Sequence, residues 1–200
     1  NLANKLKLDQ FSLFGHSFGA AHVLHLASLI PKRIRCVVLV DVPSRPLEIR
    51  AKGLEENFAQ PNSFKDLKNA TKYFSKSENG DWPKKESLQF VKNLLLYNDL
   101  NGPCRMPFDK NWFFKLRTFQ ASIKSDYDPF PIAPLVKCPV LILRGGKTKR
   151  NTPQEVRKLK TLLPKGTIIK TLKKSGHFPM VADLKNYEEV LREFLKRYAL

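Results

Sequence analysis

Gly15-His16-Ser17-Phe18-Gly19 is a G-x-S-x-G pentapeptide, and it places one serine between two glycines. A serine hydroxyl is a weak nucleophile at neutral pH, so chemistry at Ser17 would require a nearby base and donors aimed at the oxyanion formed on attack. Where such a pentapeptide joins a strand to a helix, the serine sits on a strained turn and the following N–H, here that of Phe18, faces the developing oxyanion. The structural alternative is an ordinary glycine-rich turn with a capping serine.

Of the four histidines, only His177 lies beyond the final predicted strand, in Lys174-Ser175-Gly176-His177-Phe178-Pro179. A loop leaving the sheet there could carry a base to Ser17, so His177 is the candidate general base. His16 lies inside the turn and is expected to line the site. His22 and His25 fall on the helix after the turn, where packing or solvent exposure accounts for them.

These groups need a rigid frame. Gln10–Phe14 reads as a short apolar strand, Ala20–Ile30 as a helix stopped by Pro31, and Ile34–Val40 as a strand covered on both faces, ending at Asp41-Val42-Pro43. Residues 44–134 change character. Amphipathic stretches, Lys65–Phe74 and Glu86–Tyr97, are broken by Asn79-Gly80-Asp81-Trp82-Pro83 and Asn101-Gly102-Pro103, which predicts a small helical insertion. Pro139–Leu143 is a third buried strand, Pro153–Leu163 a helix capped by Thr152, Thr167–Leu172 a fourth strand and Leu184–Tyr198 the last helix. Alternating strands and helices predict an α/β fold, one parallel sheet with helices on both faces, with reactive groups at the carboxyl ends of its strands.

The 200 residues include 36 Lys plus Arg and 18 Asp plus Glu, a net charge of +18. Eleven of the cations and a single acid, Glu155, lie between Leu141 and Ser175. Such a stretch would attract anions or an anionic membrane surface, or merely form a solvated face; no motif or interleaved aromatics point to specific nucleic-acid binding. No apolar run approaches the roughly 18 residues of a membrane span. Cys36, Cys104 and Cys138 are odd in number and widely spaced, which favours buried thiols in an intracellular reducing compartment over disulfides or a metal site.

The elbow, the buried strands, the helical insertion and the late Gly176-His177 together resemble the α/β-hydrolase superfamily, in which the nucleophile is followed by the acid and then the histidine. The likeness spans nearly the whole chain and is closest to the lid-bearing small serine esterases and their dehalogenase-like relatives, the group with G-H-S-x-G elbows. It implies that 1–43 and 135–200 form the hydrolase core, that 44–134 form the cap, and that the four strands correspond to the family's fifth to eighth. Only nine residues precede the first predicted strand. The resemblance therefore implies an incomplete chain that lacks the family's first strands and the loop giving the second oxyanion N–H.

Many relatives carry the acid in the loop after the third strand present here, but Gly145–Thr152 contains no carboxylate. Some lid-bearing members place it at the tip of the preceding strand, which Asp41 occupies here. The resemblance thus implies Ser17, Asp41 and His177 as catalytic residues and the Phe18 N–H in the oxyanion hole. A turn-capping role is the alternative for Asp41, while Asp183 is a weaker acid candidate better suited to cap the last helix. His16, Trp112 and Phe178 are expected to line the substrate site, with Trp82, Phe113, Phe114 and Phe119 enclosing an apolar group or gluing the lid down. The implied activity is hydrolysis of a small-molecule or lipid-like ester or thioester, without cofactor or metal. The competing expectation is a catalytically inactive hydrolase-like binding protein or truncated fragment.

Overall fold

The computed structural model describes residues 2–44, 61–76, 82–107 and 128–199. Trp112, Phe113, Phe114 and Phe119 lie outside the described residues.

Four parallel strands form the main sheet: β1 (Phe11–His16), β2 (Ile34–Val40), β6 (Val140–Gly145) and β7 (Ile168–Leu172), in the order β1-β2-β6-β7. The near-continuous apolar sequence of β2 and β6 has its cause in two-sided burial. Val37, Leu39, Val140 and Ile142 share one core with Ala20, Leu24 and Ala27 of α2 (Phe18–Leu29) and Val156 and Leu159 of α6 (Pro153–Leu162). The intervening residues Cys36, Val38, Val40, Leu141 and Leu143 pack instead with Tyr187 and Phe194 of α8 (Leu184–Tyr198). The period of two along each strand thus distributes side chains between two helical layers. Fully burying each Val or Leu contributes about 1.5–3 kcal/mol, so these central strands dominate the stability of the frame.

Both sheet edges among the described residues carry exposed side chains, and Phe14 on β1 is 47% exposed, as expected for an apolar edge. The short helix α1 (Leu2–Lys5) precedes β1, and the Arg33 guanidinium fastens that segment by donating to Asn4 Oδ1 and the carbonyls of Leu8 and Asp9.

The insertion is not purely helical. It contains α3 (Leu67–Lys76) and α4 (Lys84–Leu94), but also a small antiparallel sheet of β3 (Ser63–Phe64), β4 (Leu96–Tyr97) and β5 (Cys104–Arg105), ordered β3-β5-β4. Strands of two residues have no hydrophobic period, so the sequence pattern could not announce them. Leu67, Phe74, Trp82, Val91, Cys104 and Met106 form a separate core that also takes in Val181 of α7 (Pro179–Ala182) and, at its margin, Phe178. The short helix α5 (Pro129–Ile132) leads back to β6.

The predicted cap of α6 is present as a reciprocal pair: Thr152 Oγ1 accepts from Glu155 N at 3.2 Å, and Glu155 Oε2 accepts from Thr152 N at 2.6 Å. Asp183 does precede α8, but its side chain makes no cap bond; its Oδ1 accepts from Asn186 Nδ2 at 2.8 Å instead. All three cysteines are buried free thiols, and burial pushes the Cys138 thiol up to about 11, which suppresses the reactive thiolate. Among the described residues no helix is long and apolar enough to cross a membrane.

Candidate active site

Ser17 occupies the junction of β1 and α2 with φ 54° and ψ −123°, a conformation that costs a non-glycine residue about 1–3 kcal/mol. The surrounding bonds hold it there: Ser17 N donates to Val40 O at 2.8 Å, and Ala20 N donates to Ser17 O at 2.9 Å. Gly15 makes the tight turn sterically feasible, since a Cβ there would lie 2.4 Å from Gly19 O. Gly19, by contrast, lies in open space, where an added Cβ meets nothing within 4 Å. Phe18 is the first residue of α2, at the positive end of a 12-residue helix.

Asp41 follows β2, also with positive φ, 48°, and its side chain is fully buried. Its N–H donates to Leu143 O at 2.7 Å, which pins the strand tip to β6. A buried carboxylate is costly unless donors surround it. Oδ2 accepts from Thr148 Oγ1 at 2.6 Å and is 2.6 Å from His177 Nδ1; Oδ1 accepts from Gly145 N and Asn151 Nδ2, each at 3.3 Å. The loop without a carboxylate therefore contributes three of the donors that satisfy the acid on β2. Sequence reasoning missed Thr148 and Asn151. The available signal was a polar loop lacking its expected acid beside an Asp-tipped strand.

Arg144 extends this arrangement. Its buried guanidinium donates from Nε to Asn151 Oδ1 at 2.9 Å, leaving the Asn151 amide nitrogen to bond Asp41 and the Val42 carbonyl. Burial lowers the Arg144 pKa, while the charge of Asp41 acts in the opposite direction.

The loop bearing His177 is held against this acid-binding loop. Gly146 N donates to Leu172 O at 2.8 Å and Lys147 N donates to Ser175 O at 2.9 Å. The closest approach is at Gly145, where a Cβ would lie 1.9 Å from Gly176 O. His177 is 7% exposed, and its ring packs against Phe178 at 5.1 Å and His16 at 4.7 Å between centroids. Phe178 also meets Trp82 and Phe90 at 5.5 and 5.4 Å, so it links His177 to the insertion's core.

His16 Nε2 lies 2.7 Å from the backbone oxygen of His177. Burial, followed by the charge of His177, lowers the His16 pKa to about 4. The ring is therefore neutral at neutral pH, with its hydrogen on the nitrogen facing the carbonyl. Unfolding restores the ordinary value of 6.5, so the unfolded state binds the extra proton as pH falls. Stability contributed through neutral His16 is present above pH 6.5 and is lost as pH drops toward 4. Urea denaturation between these values should show a shallower loss of stability, by up to about 1.4 kcal/mol per pH unit, in His16→Gln than in the parent. Parallel pH dependences would contradict the assignment.

The structure thus brings Asp41 and His177 into contact and ties His177 to His16, the residue preceding Ser17. Among the described residues no cluster of His, Cys, Asp and Glu is fit to hold a metal.

This strand-turn-helix serine, the strand-tip acid and the late histidine on a parallel sheet coincide with a family match over residues 1–183, to the α/β hydrolase fold. The chain belongs to that family. No curated protein matches it in sequence. Among solved structures it is similar to E-2-(acetamidomethylene)succinate hydrolase, with a TM-score of 0.78 and 20% identity over 98% of this chain and 70% of that one. An α/β hydrolase from Novosphingobium aromaticivorans gives 0.76 and 22%, covering 98% and 68% of the two chains. An esterase from Mycobacterium tuberculosis gives 0.67 and 16%, covering 98% and 64%. The chain therefore spans about two thirds of the length of these proteins.

Proposed function

We propose that the protein is a serine hydrolase that cleaves a carboxylic ester or thioester through an acyl-enzyme on Ser17. Family membership supports a hydrolase activity, and the observation that carries the serine mechanism is the buried Asp41–His177 contact together with a strained Ser17 whose N–H is bonded to Val40, the residue before Asp41. In this reading 1–43 and 135–200 form the catalytic core and 44–134 the cap. His16 and Phe178 line the substrate site.

Asp41 accepts the Nδ1 proton of His177, fixing the tautomer that leaves Nε2 as a base. Nε2 takes the proton of Ser17 as Oγ bonds to the acyl carbon, and the Phe18 N–H stabilises the resulting oxyanion. Collapse expels the alcohol or thiol, which receives that proton from His177. Water then attacks the acyl-enzyme with His177 again as base, releasing the acid and restoring Ser17. Covalent trapping of Ser17 by a fluorophosphonate tests this reading. Absence of an adduct would instead favour a hydrolase-like binding protein.

The two loops joined at Gly145–Gly176 carry Lys147, Lys149, Arg150, Lys173 and Lys174 to the carboxyl end of the sheet. This charge supports anionic esters, including lipid esters presented at an anionic membrane surface, as preferred substrates. An anionic ester should show a KM about three- to tenfold below that of its neutral isostere in low salt, with the gap closing near 1 M salt. Equal KM values at low salt would remove this preference.

A further inference from the structure

We propose that His16 is a positioning residue for the base: its Nε2–H, donated to the backbone carbonyl of His177, ties the nucleophile turn to the base loop. This inference rests on the serine-hydrolase reading of the site and deepens it by assigning a task to a side chain outside the Ser-Asp-His set.

Three observations carry it. His16 and Ser17 are adjacent in sequence, so a displacement of one side chain's backbone moves the other. The 2.7 Å contact from His16 Nε2 reaches a main-chain oxygen of His177, and the two rings lie 4.7 Å apart with a tilt of 39°. Finally, β1 and β7 occupy opposite ends of the order β1-β2-β6-β7 among the described residues, so this contact joins the end of β1 to the loop that follows β7.

The geometry explains why one bond to Asp41 is insufficient. The Asp41 contact fixes Nδ1 of His177 but permits the ring to swing about that point. The His16 contact restrains the backbone from which the ring projects, and the tilted His16 ring packed against it limits its swing. Together they define the direction of Nε2. A misplacement of about 1 Å at such a base costs on the order of a hundredfold in rate. The neutral state of His16 also avoids adding a charge next to the imidazolium formed during attack.

A merely pocket-lining His16 would act on substrate binding, whereas a positioning His16 acts on the chemical step. His16→Phe retains an aromatic ring without the donor, and His16→Gln supplies an amide donor without the ring. With a soluble ester, the Phe variant is expected to lose about 10- to 100-fold in kcat and in fluorophosphonate labelling rate, with KM within about twofold. Gln should recover most of that loss. If the Phe variant fails to fold, His16→Met provides a donor-free side chain for the same comparison.

A readout independent of turnover separates the two claims. In the NMR spectrum, the His177 Nδ1–H bonded to Asp41 is expected to exchange with water faster in the Phe variant than in the parent or the Gln variant. Unchanged kcat in the Phe variant, a change confined to KM, no recovery with Gln, or unaltered exchange would each overturn the positioning role. Failure of the parent to label would overturn the hydrolase reading, leaving the exchange measurement to decide the contact between His16 and His177.

Discussion

Asp41→Asn is expected to lower kcat by about 10⁴-fold while leaving the protein folded, as measured by ester turnover alongside thermal unfolding. The carboxylate accepts from four groups, including Thr148 Oγ1 and His177 Nδ1 at 2.6 Å each. An asparagine has a single acceptor oxygen. If that oxygen stays toward Gly145 and Asn151, its NH2 group faces Thr148 and His177, and His177 Nδ1 must become an acceptor. The imidazole proton then moves to Nε2, the atom required to receive the proton of Ser17, and the base is disabled by its tautomer rather than by displacement. If the amide is reversed, its NH2 group confronts the Gly145 N–H and the Asn151 amide, so donors are left without acceptors. A kcat within about tenfold of the parent would show that Asp41 is a structural turn residue and not the acid of the site.

The second large effect concerns backbone. Gly145→Ala should destabilise the protein by about 3 kcal/mol or more and lower its melting temperature by about 6 °C or more. The added Cβ would lie 1.9 Å from Gly176 O and 3.0 Å from Ser175 O, and neither atom belongs to a side chain that can rotate aside. Relief requires the two loops to separate. That movement would disturb the Gly146–Leu172 and Lys147–Ser175 bonds and draw His177 away from Asp41, so activity should fall with stability. Gly19→Ala provides the contrast. Open space surrounds its Cβ position, so its effect on stability should remain within about 0.5 kcal/mol. Equal effects at the two glycines, measured by urea denaturation, would contradict this account of the loop contact.

The elbow was legible because its constraint is local: Gly15, Ser17 and the following helix lie within a few residues. The central strands were legible for a related reason, since two-sided burial writes an apolar run into Ile34–Val40 and Val140–Leu143. The capping box of Thr152 and Glu155 is likewise a short-range pattern. The support of Asp41 was not legible in this way. Thr148 and Asn151 lie 107 and 110 residues from it, and both types are common in turns for unrelated reasons. The bond from His16 was hidden for a different reason: its acceptor is a main-chain carbonyl, which any residue supplies. The family resemblance directed attention to Asp41, but only its surroundings explain how a charge can be held there at 0% exposure.

The most direct measurement is fluorophosphonate labelling followed by peptide mass spectrometry, with Ser17→Ala and His177→Ala alongside the parent. The account predicts a single adduct on Ser17 in the parent, none in Ser17→Ala, and labelling slowed by about 100-fold or more in His177→Ala. No adduct on the parent, or an adduct on another residue that survives Ser17→Ala, would contradict it.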